Sequence, residues 1–195
     1  MNLDIKNFED VRTFKVKIEG ITPYLQNKLN IEEVHSPTKT TKNKNYDPKK
    51  EAEKALYKNK KGVFIPERHI KSALVKSAVD YRWKGQKTYK ELVQSSIFVE
   101  PEEIPLIGPK YKVDIRPEWV RTGSAKVPKP TARPRFDKWS AEFTLTVLDG
   151  RIPDETIPEI LAGAGLRYGI GELHARGFGK FRIVKFEKIC PKRRK

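Results

Sequence analysis

Phe14, Val16 and Ile18 alternate with Lys15, Lys17 and Glu19 in the stretch from Val11 to Ile21. A period of two puts one row of side chains on each face, so this segment predicts a half-buried strand, ended by Pro23. The alternation returns at Ala141, Phe143, Leu145 and Val147, with Glu142, Thr144 and Thr146 between them. Ile70, Ala73, Leu74 and Ala78 recur at helical spacing over Glu67 to Asp80, directly after Val63-Phe64-Ile65-Pro66. Pro66 suits the first turn of that helix. A second helix is predicted after the Asp149-Gly150 turn. There Thr156 and Glu159 match a capping box, Ile157, Ile160, Leu161 and Ala164 form the apolar face, and Gly163 and Gly165 act as stops. Lys180 to Lys188 predicts a final strand. Weaker patterns place a short helix at Thr88 to Val93 and a strand at Val113 to Val120. Ser96 to Ile107 predicts a strand broken by proline, with Ile97, Val99 and Ile104 buried.

Two segments break the periodicity. Residues 27–62 accumulate Lys39, Lys42, Lys44, Lys49, Lys50, Lys54, Lys58, Lys60 and Lys61 among Thr and Asn, which predicts a long basic loop with one short helix at Pro48 to Tyr57. Residues 121–138, RTGSAKVPKPTARPRFDK, interleave Pro128, Pro130 and Pro134 with basic side chains. Proline cannot donate to a ladder, so this stretch predicts a stiff basic arm outside any central strand. Without these two insertions the order is βαββαβ, the ferredoxin-like or RNA-recognition-motif plan: an α+β fold with an antiparallel sheet and two helices on one face. No internal repeat is visible, so residues 1–190 are expected to form one domain and residues 191–195 a disordered basic tail.

Charge then narrows the partner. Lys and Arg number 41 against 25 Asp and Glu, a formal net charge of +16. A thermophile's charged surface would be nearly balanced. An excess of this size draws polyanions and releases their counterions, which points to nucleic acid. The single cysteine, Cys190, permits no internal disulfide and fits a reducing cytosol. His35, His69 and His174 lie far apart, so no metal site or cofactor is expected. Met1 to Asp10 is polar and charged, unlike a signal peptide, and no apolar run approaches the roughly 20 residues of a membrane helix.

The densest motif is GIGELHARGFG, with Gly169, Gly171, Gly177 and Gly179 bracketing Ile170 and Phe178. Glycine admits positive φ and close approach to a ligand, and successive backbone N–H groups can cradle phosphate. Arg167, His174, Arg176 and Lys180 surround the glycines with donors for charge-assisted hydrogen bonds. A Walker loop is absent, and a dinucleotide fingerprint would need a strand before and a helix after, the reverse of the order here. A tight helix-to-strand connection remains the other reading.

With its flanking helix and strand, this loop resembles the glycine-rich signature of the RAMP superfamily, the repeat-associated proteins of CRISPR effector complexes. Upstream, VFIPERHIKSALVKSA, residues 63–78, is similar to the "IPGSSLKGALR" segment of the subunits that polymerise along guide RNA. Ile65, Pro66, Lys71 and Leu74 match. Ser72 stands at the usual glycine, Arg68 and His69 replace two serines, and Val75 replaces the arginine. The resemblance implies a guide-RNA-binding protein with an RNA-recognition-motif core. It would present the guide to a complementary DNA or RNA strand, with copies associating along the RNA. It implies RNA contacts at Lys71 and Ser72, at Arg121, Lys126, Lys129, Arg133 and Arg135 of the arm, and at Arg167, Gly169, Gly171, His174, Arg176, Gly177, Phe178, Gly179 and Lys180 of the loop. Trp119 or Phe136 would stack on a base. The short chain suggests a minimal or virus-encoded system in a prokaryotic cytoplasm.

Two rival readings stay open. Some family members cleave guide precursors with histidine, for which His35 is the weak candidate here. Asp47, the aspartate of the insertion, lacks metal-ligand company in NYDPKK. In a purely structural protein, the arms would serve an assembly and the glycines only a turn.

Overall fold

A computed structural model describes residues 11–29, 46–122 and 124–189. In chain order the elements are β1 (Arg12–Gly20), β2 (Tyr24–Leu25), α1 (Pro48–Lys54), β3 (Lys58–Asn59), β4 (Gly62–Pro66), α2 (Glu67–Ser77), β5 (Arg82–Lys84), β6 (Lys87–Thr88), α3 (Lys90–Ser96), β7 (Ile97–Glu100), β8 (Glu103–Ile107), β9 (Lys112–Thr122), β10 (Ala125–Phe136), β11 (Ser140–Val147), α4 (Thr156–Gly163) and β12 (Phe181–Ile189).

The main sheet runs β12-β1-β11-β8-β4-β3, with β7 also paired to β11, and its pairs are antiparallel. This is the expected α+β, ferredoxin-like arrangement, with the second core strand split into β7 and β8 around Pro101. Register explains the core. Phe14 faces Leu145, Val16 faces Phe143 and Ile18 faces Ala141, all buried. Against that face pack Ile70, Ala73 and Leu74 of α2 and Ile157, Ile160 and Leu161 of α4. Each of the Phe, Val, Ile and Leu side chains among these contributes about 1.5–3 kcal/mol on burial. On the opposite face Lys17 lies across from Glu142 and pairs with it at 2.9 Å.

Three expectations are corrected. The capping box at Thr156 and Glu159 does not form: Thr156 is already helical, and no side chain caps the helix. Gly163 and Gly165 do not stop α4, which continues through a π turn, Ala164–Tyr168, to Gly169 at φ +73°. Both serve close packing instead. A Cβ on Gly163 would lie 2.5 Å from Ser77 Oγ, and one on Gly165 would lie 2.3 Å from the Phe181 carbonyl oxygen.

The third correction concerns the proline-rich arm. It is β10, the middle strand of a three-stranded sheet β2-β10-β9. Pro128, Pro130 and Pro134 share one parity, and that resolves the conflict with proline chemistry. The Pro134 carbonyl accepts the Gln26 N–H at 3.2 Å, on the side away from β9. In an antiparallel ladder a residue's N–H and C=O point the same way, so even-numbered residues of β10 turn their backbone outward. All three missing donors therefore lie on the outer edge, and the ladder to β9 is intact. Between the prolines, the outward Ala132 N–H is taken by Glu51 Oε2 of α1 at 2.9 Å.

The described part of the basic insertion is ordered against this hairpin. Asp47 is the N-cap of α1: its carboxylate accepts the Lys49 and Lys50 N–H groups at 3.0 and 3.3 Å. Gln26, fully buried, clamps the exit, donating to the Phe64 carbonyl at 2.8 Å and accepting the Tyr57 N–H at 2.9 Å. His35, Lys39, Lys42, Lys44, Cys190 and the basic tail lie outside the described residues. Among the described residues no helix is long and apolar enough to cross a membrane.

Candidate nucleic-acid interface

The glycine loop crosses over the β1–β2 turn, and most of its backbone is engaged in that crossing. Gly179 donates to the Pro23 carbonyl at 2.8 Å, Glu172 to the Leu25 carbonyl at 2.9 Å, and Ile170 to the Gly179 carbonyl at 2.9 Å. A Cβ on Gly171 would lie 2.3 Å from the Tyr24 ring, and one on Gly179 only 1.8 Å from the Ile170 carbonyl oxygen. Close approach is thus to the protein's own chain. The N–H groups of Gly169, Ile170, Glu172, Arg176, Gly177, Gly179 and Lys180 all have internal acceptors, so these amides are not a free phosphate cradle. Gly177 differs: it is exposed, at φ +90°, with open space where a Cβ would be.

The loop's cations divide in the same way. Lys180 Nζ donates to the Arg167 carbonyl, and burial pushes its pKa down. Arg167 donates to the Tyr81 hydroxyl at 3.1 Å and pairs with Asp80 at 3.4 Å. Arg176 is exposed and makes no ion pair among the described residues. His174 Nδ1 lies 2.8 Å from the Gly171 carbonyl oxygen, which can only accept, so Nδ1 carries the proton. Its Nε2 then accepts from Lys76 Nζ at 3.0 Å. Lys76 lies one turn beyond Ser72 on the exposed side of α2.

Other α2 residues are committed to the fold. Lys71 Nζ donates to the Val93 carbonyl at 2.8 Å and to the Ile97 carbonyl, and burial lowers its pKa, so it caps the α3–β7 junction. His69 Nδ1 and the Tyr24 hydroxyl share a hydrogen bond at 3.0 Å, and the His69 ring meets Tyr57 edge-on. Burial first, then the charges of Arg68 and His174, push the His69 pKa down to about 4, which keeps the imidazole neutral.

The hairpin joins the loop through its polar face. Arg133, expected on RNA, is 3% exposed and pairs with Glu118 at 2.7 Å and with Glu172 of the loop at 3.5 Å. Arg116, which the sequence did not single out, lies 4.7 Å above the Phe178 ring while pairing with Asp114. Arg135 is divided between Asp137 at 2.6 Å and Asp114 at 3.2 Å. Arg116 and Arg135 together hold the Asp114 carboxyl below its ordinary range. Arg133 is therefore a structural tie and Arg135 is half-committed. Arg121, Lys126 and Lys129 are exposed toward the tip, without ion pairs among the described residues. Of the two aromatic candidates for stacking, Phe136 is buried and Trp119 is 69% exposed.

Contacts thus run from α2 through the loop to the hairpin, by way of Lys76–His174 and Glu172–Arg133. No sequence signal pointed to Lys76, because its partner lies nearly a hundred residues away.

No family model matches the sequence, and no curated protein matches it. The fold is similar to that of a chain in a solved structure, a cryo-electron-microscopy structure of the type III-B Cmr-beta bound to cognate target RNA. Identity is 13% and the TM-score is 0.51, over 95% of this chain and 63% of that one. This chain thus spans less than two thirds of its neighbour's length.

Proposed function

We propose that this protein is a RAMP-like RNA-binding module that holds a guide RNA and presents it for pairing, with copies associating along the strand. The observation that carries the reading is the continuous path of α2, glycine loop and hairpin. It bears Ser72, Lys76, Arg176, Arg121, Lys126 and Lys129 as accessible donors on a chain of charge +16. Exposed cations of this kind track phosphates and give sequence-independent affinity. On the open face of the sheet β1 and β11 turn Lys15, Lys17, Glu142, Thr144 and Thr146 outward, and Phe98 of β7, across from Thr146 and 49% exposed, adds an aromatic there. The fold shared with a subunit of an RNA-bound CRISPR assembly supports the same reading.

The test is purification at high salt, the absorbance ratio at 260 and 280 nm, and sequencing of retained nucleic acid. A discrete RNA of uniform length is expected. Protein free of RNA, and binding it only weakly at physiological salt, would overturn the guide-carrier role and leave the structural reading.

A further inference from the structure

A second basic hairpin lies outside the path described above. β5, β6 and their turn carry Arg82, Lys84 and Lys87, and Lys90 follows at the start of α3. All four are exposed, no acidic residue lies among them in sequence, and none makes an ion pair among the described residues.

Against this hairpin stands the turn between β11 and α4. Arg12 pins that turn to β1, donating to the Asp149 and Ile152 carbonyls, both at 2.6 Å. Asp149 grips Arg151 through both carboxylate oxygens: Nε donates to Oδ1 at 2.9 Å and Nη2 to Oδ2 at 2.6 Å. A bidentate pair of this kind fixes the guanidinium plane. The guanidinium lies over Trp83, 5.7 Å from the ring centre, and the Arg151 side chain remains 59% exposed. Trp83 is half-buried and packs against the core, so the ring beneath the guanidinium is itself held in place.

Between hairpin, turn and α3 is a cavity of about 510 Å³. Trp83 and Arg151 line it together with Lys87, Lys90 and one carboxylate, Glu91. Asp149 neutralises Arg151, and Glu91 stands against two lysines, so the lining is mildly cationic. Arg82 and Lys84 extend that charge along the hairpin. What Arg151 offers is a flat, exposed surface rather than an unbalanced charge. Unstacked bases of single-stranded RNA rest on guanidinium planes and aromatic rings. The Gln86 amide and the Thr88 hydroxyl, also in the lining, can meet a base edge. A duplex keeps its bases stacked and has none to place there. An acidic peptide would engage the lysines and leave the platform unused.

We propose that this groove is a second RNA site, which takes one unstacked base of a single strand on the Arg151–Trp83 platform and the flanking phosphates on Lys87 and Lys90. None of its residues belongs to the path through α2, the glycine loop and the β9–β10 hairpin. The inference rests on the RNA-binding reading above and adds a second place of contact to it.

The experiment uses full-length protein carrying Trp119→Phe and freed of nucleic acid at high salt. Trp139 is buried, so a change in tryptophan emission then reports Trp83. A short single-stranded oligouridylate is titrated in, with total binding followed in parallel by fluorescence anisotropy of a labelled strand. Emission is expected to change on binding. Lys87→Glu with Lys90→Glu should weaken the emission-detected binding by about tenfold or more. Arg151→Lys keeps the charge but removes the plane, and should weaken it about fivefold. Lys76→Glu with Arg176→Glu, on the other path, should lower total binding and leave the emission titration in place. RNA bound by anisotropy with no change in emission would overturn the proposal and keep the RNA-binding reading. So would an emission change indifferent to the Lys87 and Lys90 reversals, or one lost with Lys76 and Arg176. A glutamate-rich peptide that displaces the strand and reproduces the emission change would assign the groove to an acidic protein partner and overturn the proposal. No RNA bound by either readout would overturn both readings.

Discussion

Glu51 accepts the backbone N–H of Ala132 at 2.9 Å, tying the helix of the basic insertion to the middle of the proline-rich strand. The same Oε2 accepts the Tyr46 hydroxyl at 2.7 Å. Glu51→Ala would leave the Ala132 donor half-satisfied at best, at a cost of about 1–3 kcal/mol. Amide exchange at Ala132 should accelerate while exchange in β1 and β11 stays unchanged. Tyr46, whose ionisation is pushed up to about 12 by burial and by Glu51, should titrate closer to its ordinary 10.

The hairpin's basic residues should separate into two classes. Arg133→Ala removes a buried guanidinium from Glu118 and Glu172. Because those carboxylates are 30% and 32% exposed, the cost should be about 1–3 kcal/mol, less than for a fully buried pair. It should appear in urea denaturation. Lys126→Ala and Lys129→Ala should instead leave stability within about 0.5 kcal/mol and each lower the slope of log affinity against log salt by ~1. The reverse pattern would show that the burial assigned to Arg133 is wrong.

Two glycines four positions or fewer from the loop's end should respond differently to alanine. Gly179→Ala places a methyl 1.8 Å from the Ile170 carbonyl oxygen at φ +65°, and should cost more than about 4 kcal/mol or prevent folding. Gly177→Ala meets open space, and only its φ of +90° opposes it, at about 1–2 kcal/mol. Thermal denaturation separates the two. RNA affinity retained in Gly177→Ala would show that this backbone makes no ligand contact needing glycine.

Stability should depend on pH through His69. Its pKa is ordinarily 6.5 and is held near 4 in the fold. As pH falls through about 6.5 the unfolded chain takes up a proton that the folded imidazole refuses. Stability from this group is therefore level above pH 6.5 and declines from there toward pH 4, by on the order of 1–2 kcal/mol once partial exposure is discounted. His69→Gln keeps a hydrogen-bond partner for the Tyr24 hydroxyl and should flatten the decline. Denaturation midpoints at pH 7 and pH 5 decide it.

The core was legible because its signals are local. The Phe14, Val16, Ile18 alternation and the Ile70, Ala73, Leu74 face each need only a few consecutive residues, and both appear as read. The arm was misread because proline's exclusion from central strands was applied residue by residue, whereas the shared parity of Pro128, Pro130 and Pro134 leaves one ladder whole. The glycines were visible, but not what approaches them: Tyr24, Leu25 and Pro23 lie well over a hundred residues earlier in the chain. Arg133 and Lys129 look alike in sequence. Only the hairpin's docking on Glu172 buries one and leaves the other in solvent.

The parity of those prolines also gives β10 a reading frame of two. Inserting or deleting one residue between Pro128 and Pro134 would swing a proline ring into the β9 ladder and carry Trp119's cross-strand neighbour to the other face. Adding or removing residues in pairs would keep both the ladder and the division of faces. The arm can thus lengthen or shorten through evolution only in even steps, and its reach becomes a quantised trait of the sequence.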